Sequence, residues 1–496
     1  MKFAHLEKTK DFWFLIIISF VFFLFRLPSL FEPYWYGDEG IYQVIGMALK
    51  QGRLLYAEIW DNKPPLLYVL YAFFSSDQFS LRLVSLIFGL FATVAFFFLA
   101  KLLFLTSKKI IFYTTSLFAI LFAMPFLEGN IANAENFMLF PILLAALLVV
   151  RHLSSKNRWE LLGAGFLLSI AFLFKTVAIF DLAAFLVFLF LVLYKDKKHF
   201  VSQIGDFAIF LGSFSLPILG VALFFIFSGI FTDFFNAAFF QMVGYVEYGN
   251  KFLIGQGLLF FKLILLSFFL GFLFLKRTVF SHASLFILSW LAFSLFNAFF
   301  AQRPYTHYLL VLLPSLVLFA GLIFHGGFFK EGTFKLAQAI KMQKVGLTVF
   351  LLLLFILGKN FHVYGKISSY YQNFILFMAG KKSVFSYRVF FDRNTPRDYA
   401  VAEFLKTHTK EKDQVFIWGN NAQVYTLVGK LPPGRYTVAY HAASSRASLL
   451  ETQSDLEKKK PRFIVIMPKQ GQIPYPLSSY SLRFIIEEIS IYESIL

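Results

Sequence analysis

Long apolar runs are the feature that most restricts what this chain can fold into. Runs of about 15 to 25 apolar residues recur in the first three quarters of the sequence, and about 20 such residues cross the hydrocarbon core of a bilayer as a helix. With 72 phenylalanines among 496 residues and a mean hydropathy of +0.68, the composition excludes an ordinary soluble enzyme. Because lipid cannot satisfy backbone polar groups, each run is predicted to be α-helical.

Eleven segments fit this description. They lie near residues 12–30, 80–105, 110–127, 136–151, 160–174, 177–194, 204–228, 258–275, 279–300, 308–328 and 345–359. The first is predicted to be a retained helix, because no small-residue cleavage site follows the basic start Met1–Lys10. Basic residues such as Lys108, Lys109 and Arg158 gather at alternate helix ends, which predicts a cytoplasmic N-terminus. The expected location is the plasma or inner membrane, with multiple passes.

The net charge of +18 is explained by these helix-end residues. They form no face interleaved with aromatic residues, so no nucleic-acid partner is predicted. The absence of cysteine from the sequence excludes disulfides and thiolate chemistry. The sequence also contains no phosphate-binding loop, dinucleotide fingerprint or zinc-protease motif. Short predicted cytoplasmic loops argue against a soluble nucleotide-sugar enzyme on that side.

The composition changes near residue 360. Residues 360–390 are aromatic and basic, which is typical of a segment lying along the membrane surface. The following sequence predicts a helix over Pro396–His408 and strands over Gln414–Trp418 and Phe463–Met467. Leu482–Tyr492 is also rich in strand-forming residues.

The predicted organisation is a multi-pass α-helical membrane protein with a small C-terminal α/β domain. The membrane domain covers 1–359 and includes a first external loop over about 31–79. An interfacial linker follows over 360–390, and the α/β domain covers 391–496. Eleven spans from a cytoplasmic N-terminus place this last domain on the extracytoplasmic side.

The first external loop contains the residues best suited to chemistry. Asp38 and Glu39 form an acidic pair, and Lys63 precedes two prolines. An acid can take a proton from a hydroxyl, and a cation can hold a phosphate. Because proline disfavours α conformation in the residue before it, Lys63 is predicted to be extended, with Asp61 keeping it charged and aimed. The alternatives are solvated loop acids and a lysine that reaches the lipid headgroups.

These motifs resemble the first external loop of the glycosyltransferases that use lipid-phosphate sugars, namely the protein O-mannosyltransferase and aminoarabinose-transferase group of the GT-C superfamily. The resemblance implies that Asp38 is the general base and that Glu39 orients the acceptor or Asp38. It also implies that Lys63 stabilises the leaving phosphate. The family has an aromatic residue two positions after the acidic pair, whereas Tyr42 follows at three. Tyr42 and Asp61 are predicted to contact sugar or acceptor.

Later external segments add further candidates. The resemblance implies that Glu135, with Asn133, contributes to sugar or acceptor binding, although both could instead cap the following helix. It also implies that Lys175 lies near the donor phosphate. Arg303 and His307 are predicted to contact the same phosphate, which suits the planar donors of arginine. The alternatives are an interface-anchoring lysine and a structural histidine.

The resemblance implies an inverting glycosyltransferase. It would move a hexosyl or pentosyl group from a polyprenyl-phosphate donor to a hydroxyl of a glycolipid, a cell-surface glycan or a protein on the extracytoplasmic face. No cofactor or metal is expected to be required, although a divalent metal is compatible with the motifs. One alternative is a flippase or transporter of lipid-linked sugars, which predicts charged residues in the middle of helices. Another is an O-antigen-type ligase or polymerase, which differs in its acceptor.

Overall fold

The computed structural model describes residues 2–74, 77–105, 107–194, 197–252, 256–330, 332 and 336–495. Met1, residues 75–76, 106, 195–196, 253–255, 331 and 333–335, and Leu496 fall within the predicted ranges but lie outside the described residues. In chain order, the α-helices are α1 Lys2–Arg26, α2 Gly37–Lys50, α3 Pro65–Phe73, α4 Gln78–Leu103, α5 Lys108–Ala123, α6 Ala134–Ser155, α7 Arg158–Phe174, α8 Ile179–Leu193, α9 Lys197–Phe227, α10 Phe231–Phe235, α11 Gln241–Asn250, α12 Gly257–Lys276, α13 His282–Ala298, α14 His307–His325, α15 Leu336–Asn360, α16 Ile367–Met378, α17 Val384–Phe391, α18 Thr395–His408, α19 Gln423–Val428, α20 Ala439–Ala442 and α21 Arg446–Lys459. The strands are β1 Val415–Trp418, β2 Phe463–Ile466, β3 Tyr480–Ile486 and β4 Ile489–Ser494.

All eleven predicted membrane segments form helices, which confirms a multi-pass helical membrane protein. Within the described residues, eight helices are long and apolar enough to cross a bilayer, with mean hydropathies of 2.0 to 2.7. The helices α5, α7 and α13 are shorter, at 16, 17 and 17 residues. At about 1.5 Å per residue they fall short of a roughly 30 Å hydrocarbon core. A total of eleven spans therefore stays a prediction.

The chain forms two compact units. The first contains Met1–Leu27, Val84–Phe224 and Met242–Ile367. The second contains Pro28–Leu83, Phe225–Gln241 and Ser368–Leu496. These contacts group the first external loop with the C-terminal residues. The consecutive boundaries at 359 and 390 stay a prediction. The predicted loop is itself largely helical, because it contains α2 and α3.

The first unit is a bundle of apolar helices held by close packing. Its helix α14 has 83% of its most apolar stretch buried, against 6% for α12. Because lipid is as apolar as these side chains, van der Waals contact rather than burial from water favours helix association. Phe96 and Phe118 stack with their ring centroids 4.4 Å apart between α4 and α5. A Cβ at Gly165 would overlap the Phe210 carbonyl and the Ser213 hydroxyl, so glycine permits α7 to approach α9 closely.

The second unit joins the helices of the first external loop to the C-terminal α/β domain. The helix α2 packs on α3 and on α19. A Cβ at Gly40 would lie 2.7 Å from the backbone nitrogen of Gln423, so the small residue sets how closely α2 approaches α19. The backbone N–H of Trp60 donates to the carbonyl of Arg435 at 3.0 Å, and Trp60 forms an isolated parallel bridge with Tyr436. The backbone around the Lys63 motif is therefore attached to the C-terminal domain.

The C-terminal domain contains a four-stranded mixed sheet in the order β1-β2-β4-β3. The strands β1 and β2 are parallel, with Val415 opposite Phe463, and the β3–β4 hairpin adds to β2 in the antiparallel direction. A parallel pair needs a crossover connection, which here includes α19, α20 and α21. All four β1 residues are buried. The predicted helix over 396–408 and the predicted strands are confirmed.

Candidate active site

Asp38 lies in the first turn of α2. The backbone of Tyr36 is extended, with φ −86° and ψ 120°, and the helix begins at Gly37. A carboxylate in the first helical turn is stabilised by the partial positive charge of that end. The Asp38 side chain is half-buried, and the hydroxyl of Tyr42, one turn later, lies 3.4 Å from its Oδ2. Asp38 is therefore positioned on a rigid element while part of it remains accessible.

Lys63 lies beside the same tyrosine. Its Nζ is 5.1 Å from the centroid of the Tyr42 ring, a distance at which a cation is attracted to the ring face. The ammonium also lies 3.3 Å from Oδ2 of Asp61 and 3.2 Å from Oδ1 of Asn62. Tyr42 thus contacts the acid with its hydroxyl and the lysine with its ring. The structure brings Asp38, Tyr42, Asp61 and Lys63 together.

The backbone of Lys63 is fixed from both sides. Pro64 has φ −61° and ψ 160°, and α3 begins directly after it at Pro65. The hydroxyl of Tyr56 donates to the Lys63 carbonyl at 2.7 Å, and the Lys63 N–H donates to the Tyr68 hydroxyl at 3.2 Å. Because a lysine side chain has four flexible bonds, the fixed backbone sets only the reach of the ammonium, and the contacts with Asp61 and Asn62 hold it in place.

Asp61 is the buried partner of that lysine. Its side chain is 2% exposed, and its Oδ2 accepts a hydrogen bond from the Tyr68 hydroxyl at 2.7 Å. Burial disfavours the charged carboxylate, whereas the nearby Lys63 ammonium favours it. With further stabilisation from His441 and Tyr68, the pKa of Asp61 is lowered from its usual value. Asp61 is therefore ionised at neutral pH and keeps a negative charge beside Lys63.

Glu39 has a different environment from Asp38. It is buried, and its carboxylate accepts two hydrogen bonds from the Arg82 guanidinium, from Nε at 3.1 Å and from Nη2 at 2.5 Å. The Nη1 of Arg82 also pairs with Glu32 at 2.6 Å and donates to the carbonyl of Ser29 at 3.0 Å. Tyr370 from the C-terminal region donates to Glu32 at 2.6 Å. This geometry favours a structural role for Glu39, which holds the first turn of α2 and so orients Asp38.

The first unit contains a second cluster of predicted residues. The Lys175 ammonium pairs directly with Oε1 of Glu135, and it lies 5.0 Å from the centroid of the Tyr308 ring. The Nε2 of His307 is 3.8 Å from the same Glu135 oxygen, and its Nδ1 is 3.1 Å from Oε2 of Glu128. Glu135 and Lys175 are largely buried, with side chains 3% and 14% exposed. The structure therefore brings Glu135, Lys175 and His307 together.

The other two predicted residues of this unit lie close to the cluster in sequence. Asn133 directly precedes α6, and its side chain forms no capping hydrogen bond with that helix. The alternative of a plain side-chain cap is therefore not observed for Asn133. The Arg303 guanidinium lies over the ring of Tyr248, 4.6 Å from its centroid. It belongs to the segment that leads into α14, which begins at His307.

Several residues of the two clusters were not identified as site residues from the sequence. Arg82 and Glu32 form the ion pairs that hold Glu39, and Tyr68 and His441 contact Asp61. Placing a charged arginine in an apolar helix costs free energy unless an acid pairs with it. The position of Arg82 near the start of such a helix was therefore a sequence signal for a buried ion pair. No local pattern marks His441, because its partner lies far away in the sequence.

Within the described ranges, no group of three or more His, Cys, Asp or Glu side chains is arranged to hold a metal ion. The Lys63 and Lys175 ammonium groups each pair with a carboxylate, Asp61 and Glu135 respectively. Metal-independent activity stays a prediction from the sequence.

The long apolar helices and the C-terminal sheet define the chain as a multi-pass helical membrane protein with a small α/β domain. Residues 62–219 match the family described as dolichyl-phosphate-mannose-protein mannosyltransferase. The matched segment begins at Asn62, beside Lys63, and covers less than half of the chain. A comparison with curated protein sequences gives no match.

Two solved structures of ArnT from Cupriavidus metallidurans share the fold over nearly the whole length. The apo structure has a TM-score of 0.57 and 13% sequence identity, and the alignment covers 98% of both chains. The structure bound to undecaprenyl phosphate has a TM-score of 0.53 and 11% identity, again over 98% of both chains. The oligosaccharyltransferase AglB from Archaeoglobus fulgidus aligns with a TM-score of 0.47 and 12% identity, over 93% of this chain and 69% of that one. The family resemblance predicted from the motifs is confirmed.

Proposed function

We propose that this protein transfers a sugar from a polyprenyl-phosphate donor to a hydroxyl acceptor on the extracytoplasmic face, with inversion at the anomeric carbon. One observation carries the proposal: Tyr42 contacts both the half-buried Asp38 carboxylate and the Lys63 ammonium. A proton acceptor and a phosphate-binding cation are the two groups that this reaction requires, and here they flank one side chain.

In the proposed reaction, Asp38 accepts the proton of the acceptor hydroxyl as its oxygen attacks the anomeric carbon. The bond between that carbon and the phosphate oxygen breaks, and its electron pair leaves with the phosphate. The products are the glycosylated acceptor and polyprenyl phosphate. A single displacement of this kind inverts the configuration at the anomeric carbon.

Lys63 is proposed to bind the donor phosphate and to stabilise its growing negative charge. An ammonium already held at a fixed place needs no reorganisation during the reaction, which is the main advantage of electrostatic preorganisation. The Asp61 carboxylate pairs with the Lys63 ammonium at 3.3 Å and limits its position. Lys175, Arg303 and His307 are proposed to contact the donor phosphate, and Glu135 and Asn133 the sugar or acceptor.

Two further observations support a lipid-linked donor. The ArnT structure with the shared fold contains undecaprenyl phosphate, and the matching family is described by a dolichyl-phosphate sugar. The first unit also contains an apolar cavity of about 780 Å³ between α12, α13, α14 and α15. Aliphatic and aromatic side chains form nearly all of its lining, which suits a polyprenyl chain.

A transfer assay with donor binding measured in parallel tests the proposal. Purified protein in lipid nanodiscs is incubated with polyprenyl-phosphate sugars and candidate acceptors, and release of polyprenyl phosphate is followed. We expect Lys63→Ala to weaken donor binding about tenfold and to slow transfer more than that, because the phosphate charge grows in the transition state. Lys50→Ala is the matched control, since Lys50 is an exposed lysine at the end of α2.

The same assay separates the alternatives. A flippase or transporter would move lipid-linked sugar across the bilayer while the wild type releases no polyprenyl phosphate, and that result would contradict the proposal. A ligase or polymerase would release the lipid phosphate only with a glycan acceptor. Equal effects of Lys63→Ala and Lys50→Ala would exclude Lys63 from the phosphate site.

Topology gives a separate prediction. Eleven spans from a cytoplasmic N-terminus place the C-terminal domain outside. The test uses a reporter enzyme that is active only in the extracytoplasmic compartment. Fused to the C-terminus it should be active, and fused before α1 it should be inactive. Activity of a cytoplasm-specific reporter at the C-terminus would instead show an even number of spans, with α5, α7 and α13 as the helices to re-examine.

A further inference from the structure

His441 is a buried histidine of the C-terminal domain that reaches the Lys63 motif. It lies on the short helix α20 and is 6% exposed. Its Nε2 is 3.7 Å from Oδ1 of Asp61, the oxygen opposite the one that contacts Lys63 and Tyr68. The Asp61 carboxylate is thus approached by first-loop groups on one oxygen and by the C-terminal domain on the other.

The position of the His441 ring is set by its neighbours. The ring packs edge-on against Trp60, with centroids 4.8 Å apart, and against Tyr440 at 4.3 Å. Trp60 directly precedes Asp61 and is itself bound through its backbone to Arg435. The histidine is therefore attached to the same short segment that carries Asp61 and Lys63, rather than only passing near it.

The imidazole is suited to donate to a carboxylate without adding a charge. Burial lowers the pKa of His441 to about 4, although the Asp61 charge acts in the opposite direction. The ring is therefore neutral at neutral pH and carries one N–H. Placing that hydrogen on Nε2 directs it toward Asp61, and at 3.7 Å the contact is electrostatic rather than a hydrogen bond.

We propose that His441 is a positioning residue of the donor-phosphate site, which holds Asp61 and, through it, the Lys63 ammonium. This inference rests on the proposed function, and it gives the C-terminal domain a direct part in binding the lipid-phosphate donor. Asp61 competes with a phosphate for the same ammonium. The imidazole beside Oδ1 keeps the carboxylate in place when Lys63 turns toward the phosphate.

Two substitutions separate this role from simple packing. His441→Phe keeps an aromatic ring against Trp60 and removes the N–H, whereas His441→Gln removes the ring and keeps a donor of similar reach. We expect His441→Phe to weaken binding of undecaprenyl phosphate about tenfold, because it removes the polar N–H that faces the Asp61 carboxylate, and His441→Gln to stay within about threefold of the wild type. A packing role predicts the opposite order, and that order, or equal binding by both variants, would overturn the inference.

Controls link the effect to Asp61 and to the fold. In an Asp61→Asn background the carboxylate is already absent, so His441→Phe should change binding less than about twofold further. His408→Ala, at an exposed histidine of α18, should bind like the wild type. Thermal unfolding of each variant reports folding. If His441→Phe does not fold, His441→Asn, which is too short to reach Asp61, must show the same loss.

The outcomes distinguish this inference from the proposed function. A wild-type chain that binds no undecaprenyl phosphate would contradict both. Binding by the wild type, loss in Lys63→Ala and unchanged binding in His441→Phe would contradict the role of His441 alone.

Discussion

Asp38→Asn is expected to reduce sugar transfer at least about a hundredfold, because it removes the proposed general base and keeps the side-chain shape. Asparagine retains a side-chain oxygen that can accept a hydrogen bond from the Tyr42 hydroxyl, so α2 should keep its structure. Donor binding should stay within about twofold of the wild type, since Asp38 acts on the acceptor and Lys63 on the donor. The measurement is single-turnover release of polyprenyl phosphate, with donor affinity determined on the same preparation.

Glu58→Gln is the matched control for this substitution. Glu58 is an exposed acid of the same external loop, and its carboxylate accepts only a local backbone hydrogen bond from Leu54 among the contacts described. Its neutralisation should leave transfer unchanged. Transfer at the wild-type rate by Asp38→Asn would exclude Asp38 as the base, and Glu39→Gln would then be tested in its place.

Arg82→Met should cause the largest loss of stability among the substitutions considered. The Arg82 side chain is fully buried and pairs with Glu32 and Glu39, so its removal leaves two buried carboxylates without their cation. Breaking a buried ion pair in this way costs about 3 to 5 kcal/mol, a large part of a typical free energy of unfolding. We expect a strongly lowered apparent Tm, or no folded protein, measured by thermal unfolding in detergent.

Two comparisons show whether the charge is responsible. Lys101→Met removes the cation of a more exposed ion pair, with Asp11, from the same helix α4, and should change stability by less than about 1 kcal/mol. Adding Glu32→Gln and Glu39→Gln to Arg82→Met neutralises the stranded carboxylates and should recover part of the stability. Wild-type stability of Arg82→Met alone would refute the structural role assigned to this ion-pair network.

The same network gives Glu39 a test of its own. If Glu39 acts only by holding α2, Glu39→Gln should lower thermal stability while folded molecules retain much of their activity. A loss of activity as large as that of Asp38→Asn, without a loss of stability, would restore the catalytic role that the sequence suggested. The sequence could not separate the two acids, because they are adjacent and differ only in the direction in which α2 presents them.

The helices of the membrane domain could be predicted because their cause is local. A run of apolar residues must satisfy its own backbone in lipid, whatever its neighbours are. The extended backbone at Lys63 could likewise be predicted, because a proline restricts the conformation of the residue directly before it. The strands over 415–418 and 463–466 followed from short apolar runs bounded by turn residues.

The sequence by itself thus determined a multi-pass helical protein with an acid and a fixed cation in its first external loop. Only the tertiary structure decided that the first loop packs with the C-terminal domain, that Arg82 holds Glu39, and that His441 approaches Asp61. These contacts join residues far apart in the chain, and each depends on burial that removes competing water. The physical reason is that a charged pair or a buried imidazole acts only on side chains that the fold brings within about 4 Å. A local sequence pattern carries no information about which distant side chains those are.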